Sequence, residues 1–203
     1  MTSEDGLRFG PLTRSCVHLC VDMQNLFGAG SAWETPWLPR VLPVVERLAA
    51  AWPDRTVFTR FIPVRRPEEG YGTWKRYYER WSNMTMERLP PCMVDLVPEL
   101  AKFVPPAEVI DKKYYSPWMV PQLESSLRRR GADTLIVTGT ETDVCVLAAV
   151  LGAVDRGYRV VLPTDALCSS SDAAHDASLT VYRRRYGQQV ETATTEEILQ
   201  AWR

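Results

Sequence analysis

Three polar residues stand directly after apolar runs, and together they could carry out nucleophilic chemistry. Asp22 follows Val-His-Leu-Cys-Val, Lys112 follows Val-Ile-Asp, and Cys145 closes Gly-Thr-Glu-Thr-Asp-Val-Cys behind Leu-Ile-Val-Thr. A carboxylate can take a thiol proton and later return it to a departing amine, a thiolate can attack a carbonyl carbon, and an ammonium can steady both charges. Cys145 falls in the first turn of an expected helix, where unpaired N–H groups and the helix dipole favour an anion, so its thiolate should be stabilised. Backbone N–H groups in the Gly139–Cys145 turn suit the oxyanion of a tetrahedral intermediate. Taken singly, each residue has a plainer reading: a core-filling thiol, a helix-capping carboxylate, a solvated surface charge. Only the combination points to catalysis. Asp165, which ends the strand after these, is a further candidate.

The elements that must position these groups are legible from periodicity. Strands are expected at Cys16–Val21, Arg55–Thr59, Glu108–Asp111, Thr134–Thr138, Arg159–Leu162 and Gln189–Thr192. Helices are expected at Leu38–Trp52, at Pro121–Arg130 with Gly131 as the stop, at Asp143–Arg156, at Asp172–Arg185, and from a capping Thr195 to Trp202. Near-continuous apolar strands alternating with helices indicate one α/β domain over residues 1–203 with a mostly parallel, helix-covered sheet; the architecture expected is three αβα layers around a doubly wound sheet of strand order 3-2-1-4-5-6. Ligands of such sheets bind beyond the carboxyl ends of the strands, which is where the three residues lie. The rhythm breaks over residues 61–106, a proline- and aromatic-rich insertion with Trp74, Tyr77, Tyr78 and Trp81, expected to be a lid or an assembly surface.

Composition excludes several other readings. Hydrophobic residues make up 45% and the formal charge is −1, so no global field draws the chain to nucleic acid or anionic lipid. The apolar runs fall short of the ~20 residues a membrane helix needs, and Met1–Gly10 lacks a signal-peptide pattern. Five scattered cysteines without a CxxC pair, and only two histidines, argue against a disulfide framework or a zinc site. A reducing cytoplasm fits. Arg128–Arg130 and Arg183–Arg185 precede glycines at helix C-termini, where cations complement the dipole. Arg60, just past a strand end, has a better claim on an anionic substrate group. His175 reads as a helical histidine. No G-x-S-x-G elbow is present for a serine triad.

At these residues the chain resembles the isochorismatase-like cysteine hydrolases, the group that contains nicotinamidases and carbamoyl-amide hydrolases. Asp22-Met-Gln24-Asn-Leu-Phe27 resembles D-x-Q-x-x-F, Lys112-Lys-Tyr-Tyr115-Ser-Pro-Trp118 resembles K-x-x-Y-S-x-F, and Gly139-Thr-Glu-Thr142-Asp-Val-Cys145-Val resembles G-x-x-T-x-x-C-V. The resemblance implies Asp22, Lys112 and Cys145 as the catalytic set, with Lys113 as the register alternative for the lysine. It implies an oxyanion hole of the Glu141 and Cys145 amides with a cis peptide between Thr140 and Glu141. Gln24, Phe27, Arg60, Trp74 and Trp118 are the expected substrate contacts. Nicotinamidase-like members hold a metal through an Asp-x-His motif after the second strand. Here that segment is Thr59-Arg-Phe-Ile-Pro-Val-Arg-Arg66, without histidine, so no metal and no other cofactor is expected. The implied activity is hydrolysis of a small-molecule amide or ureide C–N bond through a thioester, by a homo-oligomer (dimer or tetramer). The rivals are a non-catalytic small-molecule binder or accessory protein on the same fold, and a redox-sensing thiol with Cys168 as its resolving partner.

Overall fold

The computed structural model describes residues 6–203. Seven parallel strands form one sheet: β1 (Cys16–Val21), β2 (Thr56–Phe61), β3 (Glu108–Lys112), β4 (Thr134–Thr140), β5 (Arg159–Pro163), β6 (Leu167–Cys168) and β7 (Val190–Ala193). Their spatial order is β3-β2-β1-β4-β5-β7, with the two-residue β6 continuing alongside β4. This is the expected order, the sixth expected strand being β7 because the short β6 intervenes. Parallel strands need long crossovers, and helices α1 (Leu38–Ala51), α2 (Thr73–Arg80), α3 (Pro98–Ala101), α4 (Pro121–Arg129), α5 (Cys145–Val154), α6 (Asp172–Arg185) and α7 (Thr195–Ala201) fall between or after the strands. Among the described residues, no helix is long and apolar enough to cross a membrane.

Successive strand residues point to opposite faces and so feed two cores. Cys16, Cys20, Phe58, Ile136 and Val161 pack beneath α1 and α7 with the insertion. Val17, Leu19, Val21, Leu135, Val137 and Val160 pack beneath α4, α5 and α6. The central pair, β1 and β4, is buried along its whole length. Their register sets Val21 beside Gly139. A side chain at Gly139, whose φ is +109°, would lie 2.0 Å from Val21 O, so only glycine lets the two strand ends approach this closely. That approach brings the residue after β1 next to the turn after β4.

Two expected boundaries are corrected. The helix expected from Asp143 begins at Cys145, because Val144 adopts a non-helical φ of −123° and ψ of −91°. The cap of α7 is Thr194, which forms a reciprocal capping box with Glu197. Thr195 is instead held by Asp165 Oδ1, which accepts from its N–H and its hydroxyl, each at 2.9 Å. That contact occupies Asp165 structurally and removes it from the candidates.

Candidate active site

Asp22 is the first residue beyond β1 and sits at φ +51°, which turns its carboxylate back over the strand ends. Its Oδ1 accepts from Thr59 Oγ1 at 2.6 Å, from the neighbouring β2. Its Oδ2 lies 2.6 Å from Lys112 Nζ in an ion pair whose two side chains are wholly buried. Lys112 ends β3; its ammonium also donates to Tyr114 O at 3.1 Å and to Cys145 Sγ at 3.5 Å, and it lies 5.1 Å from the centre of the Phe61 ring. Lys113, the register alternative, points to solvent. Three neighbouring regions therefore supply a carboxylate, a cation and a sulfur to one point, with the ammonium touching both of the others.

Burial governs the charges there. It pushes the Cys145 thiol well up; Lys112 pulls it down and Asp22 raises it further. Desolvation, the largest of these effects, and the adjacent carboxylate thus oppose the thiolate that the helix terminus and Lys112 favour. For Lys112, burial alone would lower the pKa, but Asp22 and Cys145 outweigh it and the ammonium is held charged. A thiol whose pKa is raised in this way attacks more readily when a neighbouring group takes its proton.

The turn ahead of Cys145 is fixed from several sides. The Thr140–Glu141 peptide is cis. Thr142 N–H and Oγ1 both donate to Cys168 O, at 2.9 and 3.0 Å, while Oγ1 also contacts His175 Nδ1 at 2.8 Å. The Glu141 carboxylate accepts from Ser170, and Asp143 accepts from Ser169 Oγ. Val144 and Val146 N–H donate to Glu141 O; among the described residues, neither the Glu141 nor the Cys145 N–H takes part in these turn bonds. His175 thus braces the turn from behind.

Cys145 opens into a cavity of about 110 Å³ lined by Phe27, Trp33, Phe61, Tyr77, Tyr115, Glu141 and Val144. Of the five expected substrate contacts, Phe27 is in this wall. Trp74 stands behind it, packed on Phe61, Tyr77 and Tyr115, and borders an outer groove. The other three are corrections. Gln24 is buried and ties β2 to the insertion, donating to Phe61 O and Val94 O and accepting from Phe61 N–H. Arg60 forms a two-point pair with Asp111 and a 3.3 Å contact with Asp95, on a groove away from the sulfur. Trp118 packs behind α5, where its Nε1 donates to Ala149 O and its ring stacks on Tyr158. Trp33, Phe61 and Tyr115 were missed as wall residues, Tyr115 despite its place in the lysine motif, while Tyr77 was named only within the aromatic insertion.

No fit for a metal exists here. Where the resemblance would put Asp-x-His ligands, β2 ends in Arg60, a paired cation, and Phe61, a ring in the cavity wall; neither offers a donor lone pair. Among the described residues, no group of three histidine, cysteine, aspartate or glutamate side chains could hold an ion. The five cysteines are all free thiols.

Comparison with known proteins agrees with this architecture. A crystal structure of a cysteine hydrolase from Pseudomonas syringae pv. phaseolicola 1448A matches with a TM-score of 0.81 over 99% of this chain and 98% of that one, at 24% identity, a likeness of fold. The uncharacterized isochorismatase family protein YwoC of Bacillus subtilis (strain 168) is 34% identical over 49% of this chain, a match that spans only 54% of that protein. Nicotinamidase 3 of Arabidopsis thaliana is 25% identical over 83% of this chain and 81% of its own length. The model of the isochorismatase domain matches residues 16–197, nearly the whole sheet and its helices, and the chain belongs to that family.

Proposed function

We propose that this chain is a cysteine hydrolase that splits a small-molecule amide or ureide C–N bond through a thioester. Asp22 takes the Cys145 proton as sulfur attacks the carbonyl carbon, and a C–S bond forms. The Glu141 and Cys145 amides receive the oxyanion. The C–N bond then breaks, and the nitrogen leaves with the proton held by Asp22. Water, losing a proton to the restored carboxylate, attacks the thioester; the C–S bond breaks and the sulfur regains its proton. Lys112 stays charged throughout and compensates whichever neighbour is anionic.

The observation that carries this reading is the ammonium of Lys112 at 2.6 Å from Asp22 and 3.5 Å from Cys145, which itself lines a small cavity. A binding protein has no use for a buried ion pair against a thiol, since such pairs are costly to desolvate. A reducing compartment such as the cytoplasm belongs to the proposal, because the sulfur must stay a thiol; so does assembly as a homodimer or homotetramer. The test is intact-protein mass spectrometry during incubation with a panel of amides, ureides and carbamates. An acyl adduct on Cys145 that forms and decays with amine or ammonia release is expected. Turnover that persists in Cys145→Ala would refute the mechanism.

A further inference from the structure

The cavity at Cys145 is too small for more than the reacting end of a substrate. Ligand pockets commonly span roughly 300–1,000 Å³, whereas this one is about 110 Å³. Tyr77 and Tyr115 line it and also line a second, more open groove of about 670 Å³, completed by Thr73, Trp74, Arg76 and Arg80 of α2. The groove is thus the neighbouring space into which a substrate with its carbonyl at the sulfur can extend past these two tyrosines.

The charges of that groove are one-sided. Arg76 and Arg80 are one helical turn apart on α2, and like charges at that spacing disfavour a helix. No acidic side chain lines the groove, and among the described residues neither arginine has a carboxylate within ion-pair distance. Two other grooves differ in holding acids beside an arginine. Arg60 shares its groove with Asp95 and is paired, and Arg66 shares its groove with Glu87 and is paired. Inside the cavity the one carboxylate, Glu141, is occupied by Ser170. Guanidinium forks match a carboxylate at two points, and the aromatic wall between groove and cavity suits an apolar spacer.

Resting on the amide-hydrolase reading, we infer that Arg76 and Arg80 form an anion subsite, and that the substrates are amides bearing a carboxylate at the end remote from the scissile bond. The test pairs half-amides of four-, five- and six-carbon dicarboxylic acids with their neutral methyl esters and follows ammonia release. In the unaltered protein at least one acid is expected to exceed its ester in kcat/KM by about 10-fold or more, a preference that shrinks with added salt. Arg76→Gln/Arg80→Gln brings the ratio toward one, mainly through KM, and Arg76→Lys/Arg80→Lys gives an intermediate ratio because charge remains without the fork. Equal or better turnover of the esters, or a ratio indifferent to the double glutamine variant, overturns the subsite while leaving the Cys145 chemistry standing. If no amide of either series is cleaved and no adduct forms on Cys145 with these or with the ureides and carbamates, the hydrolase reading falls, and the subsite with it.

Discussion

The two halves of the site are built by different means. Asp22, Lys112 and the turn to Cys145 are continuations of β1, β3 and β4, so their mutual distances are set by strand register and by the contact of Gly139 with Val21. The cavity wall is made of Trp33 from a loop, Phe61 from a strand end, Tyr77 from the insertion and Tyr115 from the loop after β3, held mainly by ring-on-ring packing. Reacting groups hang on the backbone lattice, and selectivity hangs on side chains packed against one another. The first should be intolerant of any change; the second should be adjustable.

The largest effect expected is at the sulfur. Cys145→Ala should lower kcat/KM by on the order of 10⁴-fold or more, as loss of a nucleophile does, while the circular dichroism spectrum is retained. Next comes the ion pair. Asp22→Asn leaves the Lys112 ammonium buried without its partner, a change that commonly costs about 3–5 kcal/mol. Activity should fall by roughly 10²–10⁴-fold with the loss of the proton acceptor. Urea unfolding and ammonia release on the same preparations separate the two effects. An Asp22→Asn protein with undiminished stability would mean that the pair is not a structural element of the sheet's edge.

A wall residue should behave otherwise. Trp33 touches Phe27, Phe61, Tyr77 and Trp81 and is half-buried. Trp33→Ala should destabilise by about 2–4 kcal/mol, somewhat less than for a wholly buried ring. Its kinetic cost should lie mostly in KM, with amides bulkier than those the native cavity takes gaining relative to small ones. A collapse of kcat comparable to that of Asp22→Asn would erase the distinction between lattice and wall.

The same division explains what the sequence made legible. A strand's apolar run ends visibly, and the polar residues after it must lie at the carboxyl edge; Asp22, Lys112 and the turn to Cys145 could be found that way. Asp165 and Arg60 pass the same test, however, and the combination and the family motifs were needed to single out the three. The parallel α/β class was readable because most crossovers carry a recognisable helix; the α2 and α3 helices of the 61–106 crossover and the two-residue β6 were too short or irregular to mark themselves. Arg60 misled for a physical reason. It also follows an apolar run, but its partner Asp111 comes from the adjacent strand, and cross-strand pairing is invisible without register. Trp118 misled because helical packing turned it toward Gly152 of α5, where no room for a side chain exists. Trp33 and Tyr77 share no spacing with one another, so nothing local could announce that they face the same cavity.

The smallest effect expected concerns a polar group on the lattice but away from the chemistry. His18 is buried in mid-β1, with Nε2 2.8 Å from Thr138 Oγ1 and Nδ1 3.3 Å from Thr56 Oγ1. Burial pushes its pKa down to about 3. Between that value and the ordinary histidine range near 6.5 the unfolded chain binds a proton that the folded chain refuses, so stability falls as pH falls through this window and is unaffected above it. One proton corresponds to about 1.4 kcal/mol per pH unit. His18→Gln, whose amide can still reach Thr138, should therefore lose roughly 2–3 kcal/mol less than the native protein between pH 6.5 and 4.5 in urea titrations. Activity per folded molecule at neutral pH should be little altered, because His18 contacts none of Asp22, Lys112 or Cys145. An acid limb of the same slope in the variant would assign the loss of stability to carboxylates instead, and would leave the buried histidine without a part in it.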